Sequence, residues 1–223
     1  MPHLAMFDMD RTLLEKETAS LYVRYQREIG EASTMDLLRT LGWVAQYTIG
    51  TLDMPKVAER ALRTLRGVPE IVVAARCDDW FRRSVEKYVT DGGRRAVKSH
   101  RERGDVCAIV TGASAYASRP LARLLGIPHV VSTVFEVDDD AIFTGRAVPP
   151  LCFGEGKLER ASTFAAERGL SLDEATFYTD SLSDLPLLER VGEPVVVNPD
   201  PRLRRLAKSR RWRIETWYAD GRR

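Results

Sequence analysis

Short, nearly continuous apolar runs alternate along the chain with longer segments whose apolar residues recur at helical spacing. The runs are LAMF (4–7), VCAIV (106–110), PHVVST (128–133), ATFYT (175–179) and PVVV (194–197). Strands this apolar suit a parallel sheet covered by helices on both faces. Between them lie GRRAVKSHRERG (93–104) and YASRPLARLLG (116–126), each closed by a glycine that reads as a helix stop. Repeated strand–helix–strand units predict an α/β fold, a doubly wound Rossmann-like parallel sheet. Far more chain than a crossover needs separates the first two strands. That stretch reads as helices: ETASLYVRYQREIG, STMDLLRTLGWVAQYTIG, MPKVAERALRTLRG and PEIVVAARCDDWFRRSVEKYV, with only IVVAA (71–75) open to a strand reading. The expected division is a core of residues 1–14 and 92–223 with an inserted helical domain over 15–91. VFEVDDDAIFTGRAV (134–148) predicts a β-hairpin turning at Asp138 to Asp140, and Asp200 followed by Pro201 predicts a late helix start.

Composition narrows the class without choosing a partner. The 223 residues carry 34 Lys plus Arg against 32 Asp plus Glu, so the net charge of +2 gives no mandate for nucleic acid or an anionic membrane. The basic run RLRRLAKSRRWR (202–213) reads as the solvated face of a late helix. Cys77, Cys107 and Cys152 form no CxxC pair and read as reduced packing residues. No apolar run approaches the roughly 20 residues of a membrane span, and the N-terminus meets aspartate too early for a signal peptide. The expected location is the cytoplasm. His3, His100 and His129 lack zinc-ligand spacing, and Trp43 with Tyr47 reads as helix packing rather than a substrate pocket.

Candidate chemistry appears on asking which polar residues follow each apolar run, because open parallel sheets place their sites beyond the carboxyl ends of the strands. Asp8 and Asp10 follow the first run, Thr111 and Gly112 the second, and Asp180 and Asp184 the fourth; Lys157 follows the glycine-containing loop FGEGK. Taken singly, each is equally a cap, a turn residue or a solvated helix residue. Together they bring several carboxylates into one cleft, where they repel unless a hard cation is present; Mg2+ favours few carboxylates, waters and phosphate oxygens.

The segments DMDRT (8–12), VTG (110–112), Lys157 and TDSLSD (179–184) resemble, in order, the four motifs of the haloacid dehalogenase superfamily. The helical insertion after the first motif is similar to the C1-type cap of its phosphoserine phosphatase-like branch, subfamily IB. The resemblance implies an Mg2+-dependent phosphatase acting on a small phosphomonoester. It makes Asp8 the nucleophile and Asp10 the general acid and base. Thr111, Gly112, Lys157 and Ser183 would hold phosphate, and Asp8, Asp10, Asp180 and Asp184 would serve the metal. Glu17 falls where those enzymes meet a substrate amine. Arg60 lies beside Ala61, about where their carboxylate-binding arginine stands, while Thr179 and Ser183 replace the usual glycine and asparagine. The expected substrate is therefore a small phosphomonoester, amine-bearing on account of Glu17. Phosphoserine phosphatase proper and a phosphotransferase of the same family are the alternatives. A signalling receiver, which also phosphorylates an aspartate, is disfavoured because receivers are shorter and carry no helical insertion after the acceptor.

Overall fold

The structure, a computed structural model, describes residues 3–31, 33, 35, 59 and 61–218. Seven strands form one sheet: β1 (Leu4–Phe7), β2 (Val106–Ser114), β3 (His129–Val137), β4 (Phe143–Val148), β5 (Thr176–Thr179), β6 (Glu193–Val197) and β7 (Arg213–Glu215). Their order is β4-β3-β2-β1-β5-β6-β7, with every pairing parallel except β3 with β4. The doubly wound expectation holds. β1 lies between β2 and β5, the point where strand order reverses and a crevice opens beyond the strand ends.

The helices are α1 (Thr18–Glu28), α2 (Glu70–Trp80), α3 (Asp91–Glu102), α4 (Ala115–Leu125), α5 (Glu155–Ala166), the short α6 (Leu185–Leu188) and α7 (Pro201–Arg210). Successive β1 side chains point to opposite faces, and both faces are dry. Ala5 and Phe7 join Leu21, Trp80, Val97 and Leu121 on one side, whereas Leu4 and Met6 join Ala161, Phe164, Leu187 and Leu203 on the other. Phe7 stacks on its register partner Tyr178 with ring centroids 4.8 Å apart. Described parts of the 15–91 stretch thus share a hydrophobic cluster with the sheet.

Several predicted features keep their chemistry and shift their limits. IVVAA is helical, lying in α2, where Val73 and Cys77 pack on Phe143. The hairpin's first strand is not separate, because β3 runs from the parallel sheet straight into the antiparallel pair; Asp138 closes the turn by accepting the Asp140 and Ile142 N–H groups. β2 extends past VCAIV to Ser114, placing Thr111 and Gly112 within the strand at a register irregularity. Asp200 caps α7 by accepting the Arg202 and Leu203 N–H groups at 2.7 and 2.8 Å. The three cysteines are buried thiols. Among the described residues no helix is long and apolar enough to cross a membrane. Trp43, Tyr47 and most of the two central insertion segments lie outside the described residues.

Candidate active site

Asp8 leaves the end of β1 with its N–H donated to the Tyr178 carbonyl of β5. The chain then tightens into one turn over Met9–Leu13, inside which Arg11 takes a left-handed conformation (φ 56°). That turn sets Asp8 and Asp10 side by side over the strand ends. Lys157 comes from the first turn of α5 and donates to Asp8 Oδ1 and Asp184 Oδ2, each at 2.8 Å. All three side chains are buried. The glycines of FGEGK serve this approach: a Cβ on Gly156 would stand 2.1 Å from the Leu151 carbonyl, so only glycine lets the helix start there. Asp184 is fixed from a second side by the Thr179 hydroxyl, which donates at 2.7 Å.

Asp10 is held differently. Its Oδ1 accepts the Thr18 N–H and its Oδ2 the Thr18 hydroxyl, both at 2.9 Å. Thr18 opens α1, so Asp10 satisfies an orphan donor of that helix from eight residues upstream. Burial raises the Asp10 carboxyl to about 7; the Glu17 charge adds to the rise, while the Thr18 bonds and Lys157 oppose it. Asp8 is also raised to about 7, chiefly by burial, with Lys157 opposing and Asp184 and Asp10 reinforcing. Lys157 remains firmly protonated: its burial is outweighed by Asp184 and Asp8. Asp180 is pushed well above the usual carboxylate range by burial and then by the charge of Asp8.

Asp8 and Asp180 therefore share a largely buried crevice in which carboxylates outnumber cations. Among the described residues no three His, Cys, Asp or Glu side chains form a ready-made cage. Mg2+ does not require one, since it binds through one or two carboxylates and keeps waters for the remaining positions. The donor set fits that ion.

Thr111 is buried and its Oγ1 accepts the Ala113 N–H at 3.2 Å, while Gly112 stands exposed beside it and passes its carbonyl to the Thr133 hydroxyl at 2.9 Å. Ser183 stands 2.8 Å from the Ser181 hydroxyl in the turn after β5. Glu17 sits at the cleft edge, 3.7 Å from the Arg11 guanidinium. Arg60 lies outside the described residues.

Residues 5–189 match the sequence profile of haloacid dehalogenase-like hydrolases. The chain belongs to that family. It is 28% identical over 218 residues to a histidinol-phosphatase of Neisseria meningitidis, covering 96% of this chain and 98% of the relative. To a phosphoserine phosphatase of Mycobacterium tuberculosis it is 30% identical over 214 residues, covering 94% and 69%. This hydrolase is a phosphatase. A solved protein of unknown function from Bordetella pertussis superposes with a TM-score of 0.87 at 31% identity, covering 98% of this chain and all of that one. A phosphoserine phosphatase solved as a phospho-aspartyl intermediate analogue superposes at 0.71 with 19% identity, covering 98% and 95%, a likeness of fold.

Four contributors to the hydrolase's site were not singled out by sequence patterns. Thr18 carries no motif of its own, and Thr179 shows only as a departure from glycine. Asn198 and Tyr218 carried no signal, yet their side chains donate to the Arg11 carbonyl at 3.3 and 3.1 Å.

Proposed function

We propose that this phosphatase hydrolyses a small, amine-bearing phosphomonoester through a phosphorylated Asp8. The observation that carries the reading is the Asp8–Lys157–Asp184 chain of buried charges set beside an Asp10 that holds its proton to near neutrality. A carboxylate oxygen of Asp8 bonds to phosphorus as the ester bond breaks, and Asp10 gives its proton to the departing oxygen. Asp10 then takes a proton from the water that attacks the same phosphorus, releasing phosphate and restoring Asp8. Lys157, clamped by Asp184, neutralises charge on Asp8 and on the transferring group. Thr111, the Gly112 backbone and Ser183 hold the equatorial oxygens. Asp8, Asp180 and the Asp10 carbonyl would hold Mg2+, with Asp184 steadying the lysine behind them; the ion supplies charge stabilisation on the phosphoryl oxygens.

Residues 15–91 act in this reading as the cap that selects substrate. Relatives named for histidinol phosphate and phosphoserine both point to a leaving alcohol that bears an amine, and Glu17 presents a carboxylate at the cleft edge, kept partly protonation-prone by burial. The test is turnover of a panel of phosphorylated metabolites by wild type and Glu17→Ala, scoring both free phosphate and transfer products. The reading expects amine-bearing esters to lead in the wild type and to lose about tenfold or more in kcat/KM in Glu17→Ala, as expected for a charged hydrogen bond. Equal preference for neutral esters by both proteins removes the amine from the account, and transfer products exceeding free phosphate make the enzyme a phosphotransferase.

A further inference from the structure

Arg11 is the one member of DMDRT that brings a long cation to the cleft. Its backbone is fixed: the carbonyl accepts from Asn198 and Tyr218, and the left-handed φ of 56° places the residue at the apex of the turn. Its guanidinium is held more loosely. Nε stands 3.5 Å from Asp180 Oδ2 and Nη1 3.7 Å from Glu17 Oε1, both beyond the length of a charge-assisted hydrogen bond, and the Tyr218 phenol is its hydrogen-bonding third partner. The side chain is 37% exposed, whereas that of Asp180 is 11% exposed. A solvent-reachable cation thus leans onto a carboxylate more sheltered than itself and has a second acidic partner within reach.

We propose that Arg11 is an internal counter-cation of Asp180 that competes with the divalent metal and yields to it by moving toward Glu17. The inference rests on the reading of Asp180 as a metal ligand. Two positive groups cannot both sit against one carboxylate without repulsion, and the metal carries twice the charge of the guanidinium. Without the metal, Arg11 offsets part of the crowding of Asp8 and Asp180 and steadies the empty site. With the metal in place, Glu17 offers Arg11 its Oε1 as the alternative partner and keeps Oε2 for the substrate amine. The arrangement ties the strength of metal binding to the first residues of the insertion. It also makes Arg11 a positioning residue that sets metal affinity, outside the bond-making steps.

The test is calorimetric titration of Mg2+ alone, in the absence of substrate, into the full chain and its Arg11→Met, Arg11→Lys and Asp180→Asn variants, with far-ultraviolet circular dichroism as the folding control. Arg11→Met is expected to bind Mg2+ about tenfold more tightly than wild type, the effect of removing one unit charge a few ångströms from a divalent ion near a protein surface. Arg11→Lys keeps the charge and is expected to stay within about threefold of wild type on the same grounds. Should Arg11→Met fail to fold, Arg11→Gln removes the charge with a polar side chain of similar length, and the same tightening is expected. Unchanged or weaker Mg2+ binding in the charge-removing variant, beside lost binding in Asp180→Asn, overturns the role of Arg11 and leaves the metal site standing. Wild-type affinity in Asp180→Asn overturns the metal reading itself, and the inference with it.

Discussion

Thr18 pulls down the Asp10 carboxyl, which burial and then the Glu17 charge raise. Both of its bonds go to carboxylate oxygens and so favour the charged form, pulling the carboxyl down against burial, which still leaves it at about 7. In the proposed reaction Asp10 is the general acid and works only while protonated, so the alkaline limb of turnover should follow its carboxyl, while the acid limb belongs to Asp8, which must be ionised to attack. Thr18→Val removes the hydroxyl bond and leaves the backbone one. With the charged form less favoured, the Asp10 pKa rises and the acid form persists to higher pH. The alkaline limb of the kcat profile is therefore expected to move upward, while kcat at neutral pH falls about tenfold because the carboxyl is less firmly oriented. A limb that stays in place, read from a pH series on a generic aryl phosphate, separates Asp10 from the acid step. Thr18 itself was hard to see in the sequence: a threonine at the first turn of a helix is common for capping reasons alone, and its partner lies eight residues upstream across a tight turn. Asp8, Asp180 and Lys157 were legible because each directly follows an apolar strand or a glycine-containing loop, where backbone direction alone determines which side chains meet.

The C-terminal segment after β7 matters at the scale of elements because it closes the back of the catalytic turn. Trp217 lies against Tyr178 with ring centroids 5.3 Å apart and takes the space a Cβ on Gly92 would occupy, 2.3 Å from the indole Cγ. The next residue, Tyr218, donates to the Arg11 carbonyl, and Asn198 accepts the Trp217 N–H while donating to that same carbonyl. Gly92→Ala forces the Trp217 side chain away from its root, a displacement that overpacked cores resist at a cost of about 1–3 kcal/mol. Urea unfolding should show a lower midpoint, accompanied by slower turnover as the support behind Arg11 shifts; an unchanged midpoint would mean that the glycine is not needed for the close approach. The helices and strands around this support were largely readable from apolar spacing and from glycine or aspartate punctuation. β7 was not, since RIE has neither the length nor the apolar run of a core strand and pairs only at the sheet edge. The IVVAA stretch, read as helix with a strand left open, is helical. β-branched residues favour strands, but burial of Val73 and Cys77 one helical turn apart against the hairpin overrides that preference.

For the molecule as a whole, the sheet gathers residues from positions 8 to 184 at a single crevice. Strand order does this work: β1 ends at the reversal point just before the two aspartates, β2 and β5 flank it, and α5 brings Lys157 to Asp8. The reaction class follows from membership of the hydrolase family and its phosphatase relatives, whereas the proposed substrate choice is assigned to 15–91, where spacing constrains helices but not the contacts between them. The sequence could therefore point to Asp8 more sharply than to the leaving group. The central claim is that Asp8 carries the phosphoryl group. Its most direct test is Mg2+-dependent phosphate release from a generic aryl phosphate by wild type and Asp8→Asn, a substitution that preserves side-chain size and removes the nucleophilic carboxylate. The account predicts a loss of about a thousandfold or more, as expected when a covalent route is closed; release by Asp8→Asn at the wild-type rate would contradict it.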